Sequence, residues 1–135
     1  MLWIKAFVAG FLATLLFHQA VIGAFYTLGA FPAPPFNMTP MPPLGVPQVV
    51  SLAFWGGLWG LPLWAVIRTC RGARYWLRAL AFGAIAPTAI AMLIVFPLKS
   101  LPVSAQTVVG GLIVNGAWGI GAALIMWLIY RRRAR

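Results

Sequence analysis

The sequence predicts an all-α integral membrane protein: four transmembrane helices in a compact bundle, with both termini cytoplasmic. Three observations predict it. Hydrophobic residues make up 63% of the 135 positions and mean hydropathy is +0.96, which is more apolar surface than a chain of this size can hide from water. Four apolar runs each come close to the ~20 residues needed to cross a hydrocarbon core. Finally, Asp and Glu are absent while Lys and Arg number 10, with the arginines gathered at 68–78 and 131–135 beside the ends of apolar runs.

The first span runs from Trp3 to Leu28, interrupted only by Lys5 near its start and the polar pair His18 and Gln19. It is too long for a signal peptide and no small-x-small cleavage site follows, so the expectation is a retained span. The second, Gln48 to Ile67, starts after Pro47, a residue tolerated at a helix start, and stops at Arg68. The third covers Trp76 to Phe96 and ends at Pro97. The fourth covers Thr107 to Tyr130 and ends in the basic tail 131–135. An even number of spans puts both termini on one side. Lys5, the basic loop 68–75 with Arg78, and the tail then share a face, against Lys99 alone on the other, so the positive-inside rule makes that face cytoplasmic. Trp3, Tyr75, Trp76 and Tyr130 fall at its edge, where amphipathic rings act as interface anchors.

The missing carboxylates exclude an Asp/Glu proton relay, a carboxylate cation site and a carboxylate acid/base pair. The single cysteine, Cys70, cannot form an intramolecular disulfide. No nucleophile and base pair can be assembled, so no enzyme is expected. A net charge of +10 could suggest nucleic acid. Arginines flanking apolar runs instead predict contacts with anionic lipid headgroups, through Arg68, Arg71, Arg74, Arg78, Arg131, Arg132 and Arg133, and no nucleic-acid partner. Cys70 lies among these arginines and is read as a bystander thiol.

In lipid, helices associate through close backbone approach and a few interhelical hydrogen bonds. Thr107, Gly111, Asn115, Gly119 and Ala123 recur every four residues, a ridge of small side chains with one amide that needs a partner. Gly56 and Gly60 form a GxxxG pair on the second span; Ala79, Gly83, Pro87 and Ala91 form a stripe on the third. Packing within the bundle accounts for these stripes, with contact to another subunit as the alternative.

His18 is the one candidate cofactor ligand. Gly10, Thr14 and His18 share a face that turns the imidazole into the bundle, where it can ligate a haem or metal or donate to a quinone carbonyl. The plainer reading bonds it to Asn115, Ser51, Thr88 or a backbone carbonyl; standing alone it makes no haem or metal site, so no cofactor is assigned. Gln19 faces elsewhere and is expected to contact a neighbouring helix. The loop 30–46 carries Pro32, Pro34, Pro35, Pro40, Pro42 and Pro43 among apolar residues. It is expected to stiffen toward polyproline II and lie across the outer mouth of the bundle, with Asn37 and Thr39 supplying turn hydrogen bonds. Met38 and Met41 read as apolar filling.

The stretch TPMPPLGVPQVVSLAFWGGLW, ending at Trp59, resembles a segment of small four-span inner-membrane proteins of proteobacteria. That resemblance covers the first two spans and their connecting loop, and implies bacterial inner-membrane placement without implying an activity. The region Val114, Asn115, Gly116 resembles small fluoride channels with a pore-lining Asn, although the rest of their pattern is missing. The expected function is that of a non-catalytic structural or accessory subunit, packed against another membrane protein or copies of itself. Its contacts would run through Gly56, Gly60, Gly111, Asn115 and Gly119. The alternatives are a passive channel or small-molecule carrier lined by Thr14, His18, Thr107 and Asn115, and a cofactor-binding subunit using His18.

Overall fold

The computed structural model describes residues 1–131, without the Arg131 side chain. Arg132 and Arg133, expected among the headgroup contacts, lie outside the described residues. Among the described residues the regular structure is helical apart from one two-residue ladder, and four helices are long and apolar enough to cross a membrane: α1 (Leu2–Thr27), α2 (Gln48–Ile67), α3 (Ala73–Leu98) and α4 (Ala105–Arg131). The start of α1, the end of α4 and the 68–72 connection lie at one end of the bundle, the terminal end. The 28–47 and 99–104 connections lie at the other, the loop end.

Two of the helices are not α-helical throughout. Thr14–His18 of α1 and Ala91–Val95 of α3 each form a π turn, in which Gln19 N–H reaches Thr14 O and Phe96 N–H reaches Ala91 O. Such turns recur at functional sites. In α3 the widened turn makes room for the Pro97 ring, which in a regular helix would strike the carbonyl four residues earlier. The helix therefore runs through Pro97, the expected terminator, to Leu98, and Ser100 at φ 53 then ends it, with Leu101 N–H bonded to Phe96 O at 2.9 Å. At its other end α3 begins at Ala73, three residues before the expected start, so Arg74 and Arg78 sit on the helix and the basic loop shortens to 68–72.

The proline-rich loop expected at 30–46 has no regular structure over 30–39 and closes in a small hairpin: β1 (Pro40–Met41) pairs antiparallel with β2 (Val46–Pro47), Met41 opposite Val46. Both strands are two residues long, and the prolines at 40 and 47 leave the ladder to Met41 and Val46, which have N–H groups to give. Gly45 takes φ +69 and donates to Met41 O at 2.8 Å, closing the turn. Asn37 supplies the turn bond expected of it, its Oδ1 accepting from Thr39 N–H at 2.9 Å.

The helices pack as two close pairs. In the first, Gly10 of α1 lies against Gly56 and Gly60 of α2, with Ala6 and Thr14 flanking it, and a Cβ on any of the three glycines would collide with the opposite backbone or with Thr14. In the second, Gly83 of α3 meets α4: a Cβ there would come within 2.6 Å of Gly119 Cα and 2.8 Å of Asn115 O. The stripes legible in the sequence are thus filled by partners in the same chain. The pairs join where α1 crosses α4, and there the Trp118 indole N–H donates to Gly10 O at 3.0 Å.

Toward the terminal end the interior is a dry plug of Ala6, Ala9, Leu63, Ile67, Ala122 and Met126, each 0% exposed. Tyr75, expected at the membrane interface, is instead buried in this half, its hydroxyl donating to Ala123 O at 2.7 Å. Tyr130 donates to Leu2 O at 2.9 Å, stacks on Trp64 with centroids 4.3 Å apart, and lies beneath the Lys5 ammonium at 5.7 Å. These contacts tie the two ends of the described chain together.

Candidate functional site

The core does not fill the other half of the bundle. The helices α2 and α3 touch through Trp59 and Phe82, ring centroids 6.0 Å apart. Beyond that contact they leave between them a cavity of about 960 Å³, backed by α1 and α4. The cause is visible in the packing: α2 spends its small face on α1 and α3 spends its own on α4. Their mutual faces carry Trp55, Trp59, Pro87 and Ile90, which cannot interdigitate closely.

Thr14, His18, Thr107 and Asn115, the four residues grouped in the sequence as a possible lining, all border this one chamber, as do Gly56 and Gly111. Gly60 and Gly119 are engaged in the helix seams. Most polar groups of the wall are already paired. Thr14 Oγ1 donates to Gly10 O at 3.1 Å, Asn115 Nδ2 to Thr88 Oγ1 at 3.0 Å, and Thr107 Oγ1 to Ser104 O at 2.9 Å. The Asn115–Thr88 bond also satisfies the amide for which the sequence predicted a partner, and draws α4 to α3. Lys99 stands exposed where the chamber reaches the loop end.

His18 is placed differently from the expected pairing. Its partner is its chain neighbour Gln19, not Asn115, Ser51 or Thr88: Gln19 Nε2 lies 3.3 Å from His18 Nδ1. Gln19 is itself only 2% exposed, and its Oε1 accepts the Phe36 backbone N–H at 2.7 Å. The amide thus faces the proline-rich loop, not a neighbouring helix. This contact orients the amide: with the oxygen held by Phe36, the NH₂ group is the end that meets the imidazole. Phe36 holds the uncommon φ of 55. Together, the π turn, Gln19 and the loop fix the ring at the chamber wall.

Several of the chamber's relationships are not legible in the sequence. Gln19 and Phe36 act through a contact 17 residues apart in sequence. Ser51, Trp118 and Lys99 reach the chamber only because the two helix pairs diverge. Near the terminal end Arg78 Nη1 donates to Cys70 Sγ at 3.3 Å, which holds the thiol among the arginines. No protein-family model, curated protein or solved structure matches the chain.

Proposed function

We propose that this is a non-catalytic, multi-pass protein of the bacterial inner membrane, both termini cytoplasmic, that binds or carries one lipid-sized amphipathic molecule in the chamber between α2 and α3. The single observation carrying this reading is the chamber itself: about 960 Å³, within the range of small-molecule sites, mostly apolar in its wall, with a few polar groups converging on it. Orientation is supported by the arginines at the terminal end and the lone Lys99 at the other. Bacterial placement rests on the resemblance of the stretch ending at Trp59.

The close-packed plug of Leu63, Ile67 and Met126 beneath the chamber favours a binding or carrier site over a continuous pore, since the described residues buried there are apolar apart from Tyr75, whose hydroxyl is already bonded to Ala123 O. Gly56, Gly60, Gly111 and Gly119, through which contact with another subunit was expected, pack against residues of the same chain, so they do not themselves argue for an accessory subunit. A diacyl phospholipid carrying a photoactivatable diazirine in its tail, mixed into plain phosphatidylcholine vesicles with the protein, tests the proposal. Cross-links are expected at Met92, which lines the chamber and is only 9% exposed, well above those at its neighbour Leu93 on the outer surface. Cross-links confined to Leu93 and other outward residues would contradict it.

A further inference from the structure

We infer that His18 presents a hydrogen-bond donor, its Nε2–H, to the chamber, and that the molecule held there carries an uncharged carbonyl acceptor on an apolar body. This rests on the ligand-binding reading above and names its chemistry. Phe36 N–H binds Gln19 Oε1 at 2.7 Å, which leaves the Gln19 NH₂ facing His18 Nδ1 at 3.3 Å. A nitrogen met by an NH₂ group must accept, so the ring proton resides on Nε2. No side-chain polar atom is sealed away unpaired among the described residues, and His18 borders the chamber. The Nε2–H is therefore free to meet what enters.

The same geometry opposes a haem or metal at this position. Ligation through Nε2 needs its lone pair, which moves the proton to Nδ1 and sets N–H against the Gln19 NH₂. Turning the amide would relieve that clash only by leaving Phe36 N–H without its acceptor. What suits a single fixed donor in an apolar chamber is one acceptor. Trp55, Trp59 and Trp118 supply flat apolar wall around it. Two molecules of a membrane have this chemistry, the ester carbonyl of a glycerolipid and the ring carbonyl of an isoprenoid quinone.

Because His18 is the only histidine, protein labelled with ¹⁵N-histidine gives one imidazole to read by NMR in lipid nanodiscs. The expected spectrum has a protonated Nε2 and an unprotonated Nδ1; a proton on Nδ1 overturns the inference. In parallel, equilibrium binding to the detergent-solubilised full chain compares a decyl-substituted benzoquinone, a short-chain diacylglycerol and decylbenzene, which has no acceptor. At least one carbonyl probe is expected to bind about five-fold more tightly than decylbenzene, the worth of one net hydrogen bond, and His18→Phe to remove that preference. The preferred carbonyl probe identifies the source. Equal binding of all three by the unmutated protein overturns the inference while keeping a chamber that binds ligand; no binding of any overturns that reading as well.

Discussion

Gln19 donates its side-chain amide to Nδ1 of His18 at 3.3 Å while its oxygen holds the backbone of Phe36. One buried side chain thereby links the chamber wall to the loop that flanks it. In Gln19→Leu both bonds go, and Phe36 N–H is left without its acceptor, a loss of about 1–3 kcal/mol if the site stays dry. Limited proteolysis checks this: cleavage within 30–46 is expected to accelerate in Gln19→Leu and to stay slow in Gln106→Leu, whose bond to Ala30 O is exposed.

The seam between α3 and α4 has no room for a methyl group at Gly83, where a Cβ would meet backbone at 2.6 and 2.8 Å. Gly83→Ala should therefore destabilise by about 1–3 kcal/mol, since backbone cannot step aside. At Gly116 the nearest atom is the flexible Leu80 Cδ1 at 3.2 Å, and alanine there should be close to neutral. Unfolding by SDS titration separates the two. An equal effect at both positions would mean that the seam is looser than described.

Asn115 and Thr88 bond each other at 3.0 Å across the same seam. A double-mutant cycle with Asn115→Leu and Thr88→Val should give a coupling of about 0.6–1.7 kcal/mol, the range of interhelical hydrogen bonds in membranes. Additive losses would place the Asn115 bond elsewhere.

The single thiol reports orientation. Cys70 lies in the 68–72 connection at the terminal end, partly buried, with Arg78 beside it. A membrane-impermeant maleimide should leave it unlabelled in intact spheroplasts and label it after the membrane is opened. A Ser100→Cys, Cys70→Ser variant should behave in the opposite way. Labelling of Cys70 from outside would invert the proposed topology.

Much of the scaffold is legible in the sequence because lipid makes simple demands. Apolar runs of sufficient length locate four helices, and the small residues at four-residue spacing are where helices come close. Which stripe meets which is not legible: Gly56 and Gly60 could have faced α3 and instead took Gly10. The π turns are invisible because these spans are apolar on nearly every side, so the one-residue change of phase that a wider turn introduces leaves no mark on the pattern. The hairpin in the proline-rich loop rests on Met41, Gly45 and Val46, whose N–H groups matter more than the number of prolines around them. As for the site, Thr14, His18, Thr107 and Asn115 could be grouped as inward polar residues. Their chamber could not, since it arises from two helix pairs using their small faces elsewhere. The partner of Gln19 was misplaced for a related reason, as it lies in a loop whose path is set by tertiary structure.

Whether the chamber between α2 and α3 holds one lipid-sized molecule can be read by native mass spectrometry of the protein released from mild detergent. The unmutated chain should carry a single retained adduct of lipid mass. Ala91→Trp, which fills the chamber from α3, should lose that adduct while remaining folded by circular dichroism. A bare unmutated chain, or an adduct that survives Ala91→Trp undiminished, would contradict the account.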